Sequence, residues 1–288
     1  MGVRVAVVGS LNHDITVWVP HRPEPDETLH GTRMAEFRGG KGANQAVAAA
    51  RLGADVTMVG CVGSDARARL LLDGLDAEGI DRTFVSEVDA PTGVAVITVD
   101  PEDVSIVVVS GANAGLSLEN VLEASEVVAE ADVLLLQGES PAAATLAAAR
   151  VARANDTIVV FNPAPVNEVA DVVMPLADVV MVNRHEAELL GPQISASAVK
   201  VLVTTLGSEG SEVTMDGQVV DIAPLAANVV DPTGAGDSFA AAFAVRYAET
   251  GDALVAARFA AAAGACTVEG RGAQQSLPTR RVVNERLA

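Results

Sequence analysis

Short apolar runs separated by glycine, proline and polar clusters set the rhythm of this chain. Val3 to Val8 is such a run, ends at Gly9, and reads as a buried strand. Ile15 to Pro20 and Thr28 to Phe37 alternate more loosely around Pro20, Pro23 and Pro25, which predicts exposed strands joined by a turn-rich segment. Next come a helix over Ala43 to Leu52, a strand over Val56 to Val62 and a helix over Ala66 to Glu78. Phe84 to Val88, Val94 to Val99 and Ser105 to Val109 read as strands. From Leu118 the alternation becomes regular. A helix to Glu130 precedes a strand at Val133 to Leu136, then a helix at Ala142 to Ala154 and a strand at Ile158 to Phe161. Strands at Val179 to Val182 and Val201 to Thr205 flank a short helix at Glu186 to Leu190. A hairpin through Asp216-Gly217 and two alanine-rich helices, Ala235 to Glu249 and Asp252 to Val268, complete the series. Strands alternating with helices predict right-handed βαβ units: a three-layer α/β/α sandwich around a mostly parallel sheet. The early exposed strands do not share that rhythm and are expected to form a small second sheet.

Composition narrows the picture. The chain has 288 residues, 50% of them apolar and only 3% aromatic, with 25 glycines, which favours close helix-on-sheet packing. A formal charge of −19 argues against a nucleic-acid surface, which needs clustered Lys and Arg. Cys61 and Cys266 are far apart in apolar settings, so reduced thiols are expected rather than a disulfide. The N-terminus runs into a strand without a signal-peptide pattern, and Val127 to Leu136 is too short and too charged to span a bilayer. A soluble, cytoplasmic protein without membrane or nucleic-acid partners is the expectation.

The most informative segment is Asp231-Pro-Thr-Gly-Ala-Gly-Asp-Ser-Phe239, which runs into a helix. Gly234 and Gly236 permit unusual backbone angles, and the N–H groups of Gly234, Ala235 and Gly236 would stand at a helix N-terminus that favours anions. Asp237 in that first turn could take the proton of a hydroxyl attacking a phosphate, or could simply cap the helix. A dinucleotide fingerprint fails, because Phe239 stands where a third small residue is needed. A phosphate-binding loop ending at Gly40-Lys41 fails too, because Ala35 and Gly42 break its pattern. Gly39-Gly40-Lys41-Gly42-Ala43-Asn44-Gln45 opens a helix and could present N–H groups, an amide and a cation to a polyol, or be an ordinary helix-start loop with a solvated lysine. Asn12 and Asp14 follow the first strand, at the edge where open α/β sheets bind ligands. They could pair with neighbouring hydroxyls or serve as local turn caps.

Taken together, these segments resemble the PfkB (ribokinase-like) family of carbohydrate kinases. Both signature regions are present, Gly39 to Gly63 and Asp231 to Phe239. The likeness extends over Gly111-Ala-Asn-Ala114, Gln137-Gly-Glu-Ser-Pro141, Asn162-Pro-Ala-Pro165, Asn183-Arg-His-Glu186 and Gly272-Ala-Gln-Gln-Ser276. The resemblance implies that Asp237 is the base and that Gly234, Ala235 and Gly236 form the anion hole. It implies that Asn12, Asp14, Gly40, Lys41, Asn44 and Glu139 hold the sugar. Asn183, Thr205, Gly207 and Gly236 would border ATP, with Glu186 organising Mg²⁺ and the phosphates. Asp231, Thr233, Thr267, Gly272 and Ser276 would match an activating K⁺ site.

The implied reaction is phosphorylation of a small sugar, D-ribose to D-ribose 5-phosphate first, with a nucleoside, deoxyribose or a ketose such as fructose as alternatives. A non-catalytic sugar-binding regulator would have lost Asp237, the anion hole or Glu186, and all of these are present. One domain over 1–288 is expected, its lid built from about 11–37 and 83–109 and able to pair two copies into a homodimer. Three departures from the family stand out. The stretch after Glu186 reaches Val201 quickly, Asp26 replaces a usual glycine, and Gly138 replaces a bulkier residue.

Overall fold

The computed structural model describes residues 2–101, 104–197 and 199–288. In chain order its strands are β1 (Arg4–Val8), β2 (Asn12–Trp18), β3 (Arg33–Gly39), β4 (Asp55–Val62), β5 (Asp81–Glu87), β6 (Gly93–Val99) and β7 (Val104–Val109). Then come β8 (Val133–Gln137), β9 (Ile158–Asn162), β10 (Val179–Asn183), β11 (Val201–Thr205), β12 (Ser211–Met215) and β13 (Gln218–Ile222). Among the described residues, a nine-stranded sheet has the order β13-β12-β11-β10-β9-β8-β1-β4-β5 and a four-stranded sheet the order β3-β2-β6-β7. Pairing in the larger sheet is parallel from β11 to β5 and antiparallel only along β11-β12-β13.

The helices are α1 (Lys41–Arg51), α2 (Ala66–Ala77), α3 (Leu118–Glu123), α4 (Ser125–Glu130), α5 (Ala142–Ala154), α6 (Glu168–Val173) and α7 (Arg184–Leu189). After them come α8 (Gly191–Ala196), α9 (Ala235–Thr250), α10 (Ala253–Thr267), α11 (Ala273–Ser276) and α12 (Arg280–Leu287). Strand β1 shows why both faces of the sheet need cover. Val5 and Val7 enter one core and Ala6 and Val8 the other, as a period of two requires. Helices α1, α2, α9, α10 and α12 fill the first core, and α3 to α6 the second. The architecture is a three-layer α/β/α sandwich with a small separate sheet.

Local chemistry sets the joints. Gly251 ends α9 with φ 65, and the Asp252 carboxylate caps α10 by accepting from Leu254 N at 2.9 Å and Val255 N at 3.0 Å. Asp216 and Gly217, at φ 51 and 73, make the left-handed two-residue turn expected between β12 and β13. The expected helix from Leu118 to Glu130 is divided at Ala124, whose backbone (φ −88, ψ 6) leaves helical geometry. The short stretch after Glu186 holds one brief helix, α8. Neither α6 nor α12 is visible in the hydrophobic pattern; α12 buries only Val283.

The small sheet corrects two expectations. Strand β5 pairs in parallel with β4 in the large sheet, so the second lid segment begins at Gly93 rather than at residue 83. The reason is apolar residues on both faces of β5: Val85 packs into one core and Phe84 into the other. Within the expected 83–109 span, Glu102 and Asp103 lie outside the described residues. Strand β2 is not exposed. Asn12, His13, Asp14 and Thr16 are all buried on it, and β3 extends to Gly39 instead of ending at Phe37.

Candidate active site

The first turns of α1 and α9 meet at the C-terminal end of β8. Gly40, at φ 89, ends β3's approach and caps α1, and Gly234, at φ 81, caps α9. Asp237 is thereby carried to the junction, only 6% exposed. Asn44 Nδ2 donates to its Oδ2 at 2.8 Å, and Gln45 Nε2 donates to its Oδ1 at 3.2 Å. Where a side chain on Gly236 would stand, the space is open. Of the three N–H groups expected to form the anion hole, that of Ala235 is already given to Pro232 O at 3.2 Å. This turn spends one donor on itself, so Gly234 and Gly236 are the members left to face a ligand.

Lys41, Asn183, Glu186, Thr205, Gly234, Gly236 and Asp237 share the wall of one cavity of about 230 Å³. Burial works against the Lys41 charge, but the carboxylates of Asp237, Glu139, Glu186 and Asp14 outweigh it and hold its pKa above the usual value. Asn183 and Glu186 form a reciprocal cap on α7: Asn183 N donates to Glu186 Oε2 and Glu186 N to Asn183 Oδ1, both at 2.8 Å. The helix-capping role and a place on the cavity wall coexist in the same two residues. Gly207 is exposed and outside this wall, whereas Thr205 is on it.

A second cavity, of about 340 Å³, opens under the small sheet beside Asp14, with Asp231, Thr233 and Gly272 on its far side. Pro232 lines both cavities. Asp14 is buried with Oδ1 unpartnered, and burial, then the charges of Glu139 and Asp237, push its carboxyl up to about 7 against the pull of Lys41. Asn12 is fixed by Asn113, whose Nδ2 donates to Asn12 Oδ1 at 2.7 Å. Two glycines make room for these side chains. A Cβ on Gly39 would strike the Asp14 carboxylate, and one on Gly93 would strike both Asn12 Oδ1 and Asn113 Nδ2. Glu139 accepts from Lys41 N at 3.1 Å and from the Ser10 hydroxyl.

The loop residues implied for K⁺ divide into two sets. The Asp231 carboxylate accepts from Thr233 N and Gly272 N, each at 2.9 Å, and Ser276 Oγ donates to Gly272 O at 2.6 Å, so these four are together. The Thr267 hydroxyl is turned away, donating to Ala263 O at 2.9 Å and accepting from the Ser238 hydroxyl at 2.8 Å. Two departures also find physical causes. Asp26 sits at φ 65, where glycine is at ease, and a Cβ on Gly138 would strike Pro165 O, which leaves no room for a larger residue. Sequence reading missed Gln45, Ser10 and Asn113 as site members. The signal for Gln45 was a second polar residue, beside Asn44, in the alanine-rich buried face of α1.

Known proteins resemble this chain in sequence and in fold. The family model for pfkB family carbohydrate kinases matches residues 3–280. A ribokinase of Haemophilus influenzae is 38% identical over 299 residues, covering 98% of each chain. The crystal structure of a ribokinase from Thermotoga maritima superposes with a TM-score of 0.90 at 34% identity, over 99% of both chains. An Arabidopsis thaliana ribokinase, solved in complex with ribose and ATP, gives a TM-score of 0.87 at 32% identity over 100% of this chain and 99% of its own. A whole-chain match in sequence and in fold places this chain in the pfkB family of carbohydrate kinases.

Proposed function

We propose that the chain phosphorylates D-ribose with ATP to give D-ribose 5-phosphate, acting as one domain over 1–288 closed by its β lid. The observation that carries this reading is the position of Asp237, buried at the start of α9, where it faces the cavity holding Lys41, Asn183, Glu186 and Thr205 and adjoins the one beside Asp14. The relative solved with ribose and ATP supports the pairing of substrates. Sugar would lie under the lid, against Asn12, Asp14, Gly40, Lys41, Asn44 and Glu139. Nucleotide would enter along Asn183, Thr205 and the edge marked by Gly207.

In this reading Asp237 accepts the proton of the primary hydroxyl as its oxygen attacks the γ-phosphorus. Lys41 and the α9 N-terminus, with Gly234 and Gly236 facing outward, stabilise the charge on the transferring group. The cavity wall fits a magnesium–nucleotide complex, since the Glu186 carboxylate stands there beside a lysine and a threonine. Glu186 would hold Mg²⁺ together with the phosphates, and the ion would supply charge neutralisation when bound. The Thr233 and Gly272 N–H groups donate to the Asp231 carboxylate and the Ser276 hydroxyl donates to Gly272 O, so these four residues are neighbours and would supply oxygen ligands to K⁺. Thr267 can join only through its backbone. Closure of the lid excludes water, which protects ATP from hydrolysis.

The lid also supports a homodimer. Strand β7 is a sheet edge that leaves Ile106, Val107 and Val109 at least 58% exposed. Among the described residues no helix is long and apolar enough to cross a membrane, and the reduced-thiol pattern supports a cytoplasmic setting. The deciding experiment measures kcat/KM for D-ribose, 2-deoxyribose, fructose and adenosine by coupled ADP release, with NMR assignment of the product. D-ribose is expected to lead, with phosphate on the 5-hydroxyl. A lead of about tenfold for adenosine or fructose would replace ribose as the acceptor.

A further inference from the structure

Two buried glutamines stand behind Asp237. Gln45 is 0% exposed and Gln137 1%. Gln137 Nε2 donates to Gln45 Oε1 at 2.8 Å, and Gln45 Nε2 donates to Asp237 Oδ1 at 3.2 Å. The three residues belong to three elements: β8 in the interior of the sheet, α1 and α9. The polarity of the chain is fixed from its end, because only an N–H can face an ionised carboxylate. Gln45 must turn its Nε2 to Asp237 and its Oε1 to Gln137, and Gln137 must then present its own Nε2.

That arrangement leaves Gln137 Oε1 buried without a partner, and Asn44 Oδ1 likewise. Buried acceptors of this kind are uncommon and ask for a reason. Here the two orphaned acceptors belong to the amides whose donors converge, directly or in relay, on the two oxygens of one carboxylate. A carboxylate plane turns easily about its terminal bond, since that torsion has broad preferences. One donor would leave it free to swing, whereas a donor on each oxygen fixes the plane. Space for the relay is reserved as well: a Cβ on Gly9 would strike Gln137 Oε1.

We infer that Gln45 and Gln137 are positioning residues, a buried amide relay anchored in β8 that holds the Asp237 carboxylate in the plane from which it takes the substrate proton. The inference rests on Asp237 being the base. Gln137 touches neither the cavity wall nor Asp237, and it acts only through Gln45.

The test compares Gln45→Met, Gln137→Met and the double variant at saturating D-ribose and ATP, with Asp237→Asn alongside. Gln45→Met should lower kcat by about 10- to 100-fold while KM for the sugar stays within about threefold, as expected when a reacting group loses its alignment. Gln137→Met should have a smaller effect of the same kind. The double variant should fall no further than Gln45→Met, because the relay delivers through one atom. Additive losses, or a change confined to KM, would overturn the relay. If Asp237→Asn collapses turnover while Gln45→Met keeps wild-type kcat, the relay alone is lost. If Asp237→Asn retains turnover, the base assignment goes and the relay's catalytic role goes with it. Should the glutamine variants fail to fold, ¹⁵N spectra of the unaltered protein decide instead. Both side-chain amides should exchange slowly, with Gln45 shifting most in Asp237→Asn, and rapid exchange of either would refute the relay.

Discussion

The two sides of the site are prepared to different degrees. On the body side, each oxygen of Asp237 already holds an amide donor, and Asn183 and Glu186 have satisfied one another. On the lid side, Asp14 is buried with an oxygen unpartnered and its carboxyl pushed up to about 7, in a sheet whose edge strand carries exposed valines. A catalytic group loses least when its surroundings are organised before the substrate arrives. A recognition group gains most when it is paired only by the right substrate, since an unpaired buried group disfavours every other occupant. In the proposed reaction the difference would separate rate from selectivity, across the loop whose Pro232 lines both cavities.

The largest effect should come from the prepared side. Asp237→Asn keeps the shape and the hydrogen-bonding span but cannot accept a proton, so kcat should fall by about 10²–10⁴ with KM for ribose nearly unchanged. Initial rates across ribose concentrations measure this, and a near-normal kcat would erase the contrast between the two sides. Asp14→Ala should do the reverse, raising KM for ribose by about 10- to 100-fold and leaving KM for ATP alone. Titrating the two substrates separately distinguishes these outcomes. Replacing K⁺ with Na⁺ or a bulky organic cation should slow turnover by a smaller factor, because the cation would act through the Asp231 loop. Equal rates in the three buffers would dismiss that loop.

The smallest effect concerns protons. A carboxyl whose folded pKa is raised from 3.8 to about 7 binds protons more tightly when folded. It therefore costs stability progressively as pH rises from about 4 to 7, and the cost is complete above that range. Asp14→Asn should then melt higher than the parent at pH 8 and show no gain at pH 4. In the unaltered protein, KM for ribose should rise as pH drops through 7, because the ionised form is the better hydroxyl acceptor. A flat profile would mean that Asp14 is paired before sugar binds.

Much of the body was legible because its signals are local. The alternation of β1, the Asp-Gly turn and the glycines before α9 each state their geometry within a few residues, and the structure follows them. Strand partnership is not local. The run from Phe84 to Val88 looks alike whether it joins the lid or the large sheet, and only burial on both faces sends it to β4. Hydrogen bonds across the fold are equally hidden: Gln137 and Gln45 are 92 positions apart, and nothing near either residue names the other. The Ala235 N–H was read as free because a helix start suggests it, but the proline turn beneath had already taken it.

Gly9, Gly39 and Gly93 have a consequence for descent. At each, the space a Cβ would need is held by a polar atom of the site: Gln137, Asp14, or Asn12 with Asn113. Every single-nucleotide change of a glycine codon that alters the amino acid adds at least that carbon. Any replacement at these positions must therefore displace the neighbouring side chain of the site. The three glycines act as a mould, fixing where Gln137, Asp14, Asn12 and Asn113 can stand.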